Sequence, residues 1–137
     1  MNVQSQPFAP SFFVFNGGPY VTAEHADGSF LGPTTLYPKL TTPAKPGETV
    51  LLFANGFGQT TVPVVSGSSA QSGTLPTMPV VKIGGVTATV LFTGLTFPGE
   101  FQMNVTVPAS LADGDHPITA TYNGATTQAG VLITIAK

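Results

Sequence analysis

Apolar and polar residues alternate along the chain wherever Gly and Pro leave room for a regular element. From 101 to 107 every odd position is apolar and every even position is polar, and the pattern recurs from 118 to 122. In a β-strand successive side chains point to opposite faces, so a period of two predicts strands with one buried face. The pattern therefore indicates a β protein.

The spacing of Gly and Pro supports the same conclusion by limiting helix length. The chain has 16 Gly and 13 Pro, and no stretch free of both exceeds eight residues. Globular helices usually need about 10–12 residues, and each internal Pro costs about 3 kcal/mol. Eight residues are ample for a strand. No substantial helix is expected.

Turn signals mark the ends of the predicted strands. Asn123-Gly124 and Gly84-Gly85 are typical of two-residue hairpins, and Pro46-Gly47 opens a strand at 49–54. The sequence therefore predicts at least seven short strands. We expect a single antiparallel, immunoglobulin-like β-sandwich of about seven to nine strands over 1–137, with a flexible lead-in at 1–7.

Two segments fit the strand pattern less well. Residues 28–46 contain four Pro and are predicted to form an extended connection, and residues 59–79 are predicted to form a long polar loop. The predicted core takes inward-facing residues of the strands. Its members are Phe13, Val50, Leu52, Ile83, Val90, Phe92, Met103, Val105, Ile118, Tyr122, Val131 and Ile133.

Charge is scarce, and this excludes one class of partner. Charged residues make up 7% of the chain, against about 25% in ordinary soluble domains. The side-chain cations are four scattered Lys, which cannot neutralise a run of phosphates, so nucleic acid is excluded. No apolar run approaches the roughly 20 residues of a membrane helix, so membrane insertion is not expected.

Several phrases of the sequence, taken in order, resemble the C-terminal β-sandwich domain of large secreted Acidobacteria proteins, the Solibacter C-terminal domain family. No single phrase is specific, and the order carries the resemblance. The phrases are FAPSFF at 8–13, HADGS at 25–29, PAKPGETV at 43–50, NGFG at 55–58, VKIGGVTA at 81–88, FTGL at 92–95 and FQMNVTVP at 101–108.

The resemblance implies an immunoglobulin-type or IPT/TIG-like sandwich without assigned catalysis, located outside the cell or at its surface. The expected role is a structural or interaction module, and the expected partners are other domains of a parent protein or copies of the chain itself. The alternative is a carbohydrate- or surface-binding module that uses aromatic residues in or beside turns. Those ligand candidates are Tyr20, Tyr37, Phe57 and Phe97.

Few residues suit a metal, and no cofactor is expected. His25 and Asp27 would share a face of a strand, but zinc needs three or four ligands, and Asp27-Gly28 is better explained as a turn. Asp113 and Asp115 are the candidate calcium ligands because closely spaced loop carboxylates can hold that ion. A tight turn is the preferred interpretation there as well.

Catalytic material is equally sparse, and we expect no enzymatic activity. There is no Cys, and the Ser residues lie in predicted loops without a neighbouring His. Glu100 could be one of the two carboxylates of a glycosidase, but the sequence does not identify the second. A covalent bond between Lys82 and Asn104 beside Glu100 is a further hypothesis, which an intact mass lower by one ammonia would reveal.

Overall fold

The computed structural model describes residues 10–56, 78–97 and 100–137, and within them the prediction of an all-β fold is confirmed. The regular elements are eleven strands and one 3-10 turn at Phe15–Gly17. The strands are β1 Ser11–Phe12, β2 Ala23–His25, β3 Phe30–Leu31, β4 Thr41–Thr42, β5 Thr49–Asn55, β6 Val80–Ile83, β7 Val86–Phe97, β8 Glu100–Thr106, β9 Gly114–Tyr122, β10 Ala125–Thr126 and β11 Leu132–Ile135.

The strands form one curled, sandwich-like sheet. Its order is β10-β9-β6-β7-β8-β5-β2-β3-β4, with β1 also paired to β5 and β11 to β9. These pairs are antiparallel except β3 with β4, which is parallel. The described strands exceed the expected number because the segment 28–46, predicted as a connection, contains β3 and β4.

The sheet curls back on itself through β11. Two isolated parallel bridges, Tyr20 with Leu132 and Ala44 with Ile135, join β11 to segments next to β2 and β4, at the opposite end of the strand order. Backbone hydrogen bonds support both contacts, for example from Val21 N–H to Leu132 O at 3.0 Å. The two ends of the strand order therefore meet around a common core.

The pair β5 and β8 lies at the centre of that core. Both strands bury every second residue, as their period of two predicts, and Leu52 pairs with Met103 while Val50 pairs with Val105. All four side chains are fully buried. Burying a side chain of this size contributes about 1.5–3 kcal/mol.

Most of the predicted core is confirmed. The correctly predicted residues are Val50, Leu52, Ile83, Met103, Val105, Ile118, Tyr122, Val131 and Ile133, all buried, while Val90 is partly buried and packs against them.

Two core predictions are wrong. Phe13 is only half-buried, and Phe12 is buried instead, opposite Ala54 of β5. Consecutive Phe residues are apolar on both faces, so the sequence could not show which one turns inward. Phe92 is half-buried because a register shift between Val90 and Phe92 interrupts the alternation, and Thr93 takes the buried place.

The two hairpin signals are confirmed by the backbone. Asn123 and Gly124 have φ of 51° and 84°, and Gly84 and Gly85 have φ of 60° and 82°. Two consecutive positive φ angles are the requirement of a type I′ turn, which explains why Asn-Gly and Gly-Gly occur there.

The predicted lead-in at 1–7 and Phe57 lie outside the described residues, and so does nearly all of the predicted loop at 59–79. Within the described ranges, no helix has the length and apolar character that crossing a membrane requires.

Candidate functional site

An open pocket of about 630 Å³ lies where β2 ends, beside β4 and the turn that precedes β5; we call it the His25 pocket. It gathers four of the ten Asp, Glu and Lys side chains of a charge-poor chain, together with one of its two His. Residues that line it include His25, Asp27, Thr42, Lys45, Glu48 and Lys137.

Local pairing explains why these side chains meet. His25 ends β2 opposite Val50 of β5, and Thr42 ends β4. The turn between β4 and β5 contains Gly47 at φ 84°, a backbone angle that favours glycine. In the same turn, Glu48 N–H donates to Lys45 O at 3.0 Å. The turn therefore places Glu48 beside the end of β2.

The imidazole of His25 contacts a carboxylate with one nitrogen and a hydroxyl with the other. Its Nδ1 bonds to Glu48 Oε2, and its Nε2 lies 2.8 Å from Thr42 Oγ1. The other carboxylate oxygen, Glu48 Oε1, accepts the backbone N–H of Lys45 at 2.8 Å. With the ring proton on Nδ1, Nε2 is an acceptor for the hydroxyl of Thr42.

A backbone oxygen also lies within hydrogen-bond distance of Nε2. The backbone oxygen of Thr42 lies 3.1 Å from His25 Nε2. When both ring nitrogens carry protons, Nδ1 donates to Glu48 and Nε2 can donate to this oxygen. The side chain of His25 is 14% exposed, so the ring is held largely by protein groups.

Asp27 forms the predicted turn. Its Oδ1 accepts the backbone N–H of Ser29 at 2.9 Å and the Ser29 hydroxyl at 2.6 Å, and Gly28 has φ of 89°. The hydrogen bonds from Ser29, with a smaller effect of His25, lower the pKa of the Asp27 carboxyl. Within the described residues no group of three or more His, Cys, Asp or Glu is arranged to hold a metal ion.

The calcium candidates are bonded to separate protein donors. Asp115 accepts the hydroxyls of Tyr20 at 2.8 Å and Thr134 at 2.6 Å, and Asp113 accepts the backbone N–H of Lys137 at 2.9 Å. A connection with a turn joins β8 and β9 as expected, but β9 begins at Gly114, so Asp115 lies on the strand and only Asp113 precedes it. The two carboxylates instead tie β9 to neighbouring segments.

The aromatic ligand candidates are placed differently from one another. Tyr20 donates its hydroxyl to Asp115, and this hydrogen bond, ahead of burial and the Asp115 charge, raises the pKa of Tyr20. Tyr37 packs edge-on against Phe15 with ring centroids 5.7 Å apart. Phe97 is the last residue of β7, and Phe57 lies outside the described residues.

Phe30 is an exposed aromatic residue that was not among the candidates predicted from the sequence. Its ring is 41% exposed and packs edge-on against Phe15 at 5.8 Å, beside a hollow of about 290 Å³ lined also by Ser29, Lys39 and Leu40. The available signal was its position directly after the Asp27-Gly28-Ser29 turn, which brings a strand residue to the molecular surface.

The hypothesis of a Lys82–Asn104 bond is not supported by the strand order. Lys82 is exposed on β6, and Asn104 lies on β8, with β7 between them. Asn104 Oδ1 accepts the side-chain N–H of Gln102 at 2.8 Å.

Several large apolar side chains are exposed on or beside the hairpin of β6 and β7, and we call three of them, Met78, Val80 and Leu91, the β6–β7 face; Val86, next to the turn, is also exposed. Met78, Val80 and Leu91 are 48%, 49% and 57% exposed. Because Val81 pairs with Ala88 in antiparallel register, residues before Val80 run alongside residues that follow Ala88. Met78 and Leu91 therefore lie towards the same end of the hairpin.

No protein-family model matches this chain, and no match was found among curated proteins. The resemblance to the Solibacter C-terminal domain family therefore stays a prediction.

Proposed function

We propose that this chain is an association module of an exported or cell-surface bacterial protein, and that it binds a second copy of itself through the β6–β7 face. The observation that carries the proposal is the exposure of Met78, Val80 and Leu91 on one hairpin. Grouped exposed apolar residues are typical of protein–protein contacts. The role needs no catalytic group or cofactor.

The polar residues around this face favour a like-with-like contact. Thr87 and Thr89 are exposed on β7 on either side of the buried Ala88, and Lys82 is the charged residue of β6. Two copies related by a two-fold axis would present the same surface to each other. Because this face carries so little charge, electrostatic repulsion between two copies is weak.

Sedimentation velocity over a range of protein concentrations tests the association. We expect a concentration-dependent dimer that is lost in the double variant Val80→Lys, Leu91→Lys. Leu40→Lys is the matched control, because Leu40 is 60% exposed elsewhere on the molecule and its change leaves the dimer intact. A monomer at every concentration would refute self-association through this face.

A second candidate function is carbohydrate binding, and Phe30 favours it. An exposed ring held edge-on by Phe15, which is itself braced by Tyr37, is a preorganised apolar surface for a sugar ring. Ser29 and Lys39 line the adjacent hollow, where Lys39 can donate hydrogen bonds and the hydroxyl oxygen of Ser29 can accept them.

Retention by polysaccharides separates this candidate from the first. In native electrophoresis through gels containing a panel of polysaccharides, we expect at least one to retard the chain and Phe30→Ala to abolish the retardation. Leu91→Ala, on the β6–β7 face, serves as the control and leaves it unchanged. Equal mobility in all gels would exclude the polysaccharides of the panel as ligands.

A further inference from the structure

The His25 pocket holds a hydroxyl, an imidazole and a carboxylate in one hydrogen-bonded row. Thr42 Oγ1 lies 2.8 Å from His25 Nε2, and His25 Nδ1 bonds to Glu48. Glu48 is fixed in turn by the backbone N–H of Lys45. A nucleophile within reach of a base, with the base oriented by a third group, is the arrangement that activates hydroxyl nucleophiles in acyl transfer.

We propose that Thr42 is a nucleophile activated by His25, and that the His25 pocket accepts acyl groups from ester substrates. Three features support this role over a purely structural one. Thr42 is exposed, the row lines a pocket of about 630 Å³, and the hydroxyl contacts the ring nitrogen that does not face the carboxylate.

The geometry also provides for the state that forms after proton transfer. When Nε2 has taken the proton of Thr42, the ring is an imidazolium whose Nδ1–H faces Glu48 and whose Nε2 lies 3.1 Å from Thr42 O. Both N–H groups then have an acceptor, which stabilises the charge that develops during attack. Lys45 and Lys137 line the same pocket, and their positive charge would stabilise the negative charge that develops on a carbonyl oxygen bound there.

The reaction has two balanced halves. Thr42 Oγ bonds to the acyl carbon as its proton moves to His25 Nε2, and the bond to the leaving oxygen breaks as that oxygen takes the proton and departs as an alcohol. Water then attacks the Thr42 ester and gives a proton to Nε2. Thr42 leaves with that proton, and a carboxylic acid is released.

The full chain treated with p-nitrophenyl acetate near neutral pH tests the proposal. We expect one acetyl group on the peptide that contains Thr42, seen by mass spectrometry and removed by mild alkaline hydroxylamine, which cleaves oxygen esters, whereas acetyl amides on Lys resist it. Acetyl groups found only on Lys, and resistant to hydroxylamine, would overturn the proposal.

Matched variants separate activation from chance acetylation. Thr42→Val and His25→Gln should lower the rate of p-nitrophenol release at this site about 100-fold, the usual range for general-base catalysis, while Thr42→Ser retains activity. Thr126→Val is the control for a strand hydroxyl, because Thr126 bonds to another hydroxyl, that of Thr121, at 3.0 Å. His116→Gln is the control for the second His, whose Nε2 contacts the backbone oxygen of Ala112.

Glu48 is a positioning residue, and its variant tests more than folding. Glu48→Gln should lower the acetylation rate and change its dependence on pH, because an amide orients the ring without neutralising the imidazolium. Circular dichroism spectra matching the parent chain would show that the variants are folded. An unchanged rate and pH profile in folded His25→Gln would refute activation by His25.

Discussion

The centre of the sheet and the region of β2, β3 and β4 are stabilised by different interactions. The strands β5 and β8 are seven residues each and bury every second side chain. The strands of the second region, β2, β3 and β4, are only two or three residues long. Side-chain hydrogen bonds of His25, Asp27 and Thr41 connect these strands and the turns next to them. The apolar centre supplies stability, and the polar region supplies chemical groups.

This difference shows where polar groups can be placed without a large loss of stability. A hydrogen bond adds only about 1 kcal/mol net, whereas a buried Leu or Met contributes several times more through packing. The ionisable side chains of the His25 pocket therefore have little effect on the stability of the fold, because the central strands do not depend on them. Four substitutions test this division, in order of decreasing effect.

The largest effect is expected at the apolar centre. Leu52→Ala should lower the free energy of unfolding by about 2–5 kcal/mol, because it leaves a cavity between fully buried neighbours. Leu51→Ala, on the opposite face of the same strand and half-buried, is the matched control with a smaller loss. Urea denaturation measures both, and equal losses would contradict the assignment of the two faces.

A smaller loss is expected at Thr41 in the polar region. Its buried Oγ1 donates to Pro33 O at 2.7 Å and accepts the N–H of Tyr37 at 3.2 Å. Thr41→Val leaves the N–H of Tyr37 without this acceptor and removes one of the two hydrogen bonds to Pro33 O, which keeps that from Leu36 N–H at 3.0 Å. The change should cost about 1–3 kcal/mol in urea denaturation. Thr34→Val, at an exposed position in the same segment, should change stability little. A neutral Thr41→Val would show that these bonds do not hold the segment.

Tyr20 reports the contact between the polar region and β9. Because Asp115 accepts its hydroxyl, the pKa of Tyr20 lies above its usual 10.0 in the fold. This contribution to stability is complete below pH 10 and is lost as the pH rises through the raised pKa. Asp115→Ala should lower the Tyr20 midpoint in an NMR titration, whereas Asp113→Ala should not. A midpoint unaffected by Asp115→Ala would contradict the contact.

The smallest effect is expected at Asp27, which is fully exposed. Its hydrogen bonds from Ser29 hold its pKa below the usual 3.8, so the turn gains stability above that pH and loses it as the pH falls through the lowered pKa. Ser29→Ala should raise the Asp27 pKa measured by NMR, and the exposed Ser110→Ala should leave it unchanged. No change in Ser29→Ala would mean that the turn bonds do not persist in solution.

The sequence predicted the two regions unequally for a physical reason. The alternation at 101–107 extends over enough residues to reveal its buried face, and Asn123-Gly124 reveals its turn through the φ angles it permits. β3 and β4 have two residues each, too few for a period to appear. The parallel pairing of β3 with β4 was therefore not predictable.

The candidate site was not predictable because its residues are far apart in the sequence. Thr42 and Glu48 lie 17 and 23 residues from His25 and are joined to it only by the tertiary fold. Thr is also a source of hydroxyl groups, and Thr42 was not among the residues predicted to be near a His. The signal that was available is the Pro46-Gly47 turn, which returns the chain and places Glu48 at the start of β5.

The bridges from β11 to Tyr20 and Ala44 have a kinetic consequence. They link positions separated by more than 90 residues, and the strands they join cannot close until 132–135 have been synthesised. Contacts so distant in the chain slow folding, since a large loop must close before they form. During synthesis on a ribosome, the first third of this chain would therefore wait, exposed to chaperones, for its last strand.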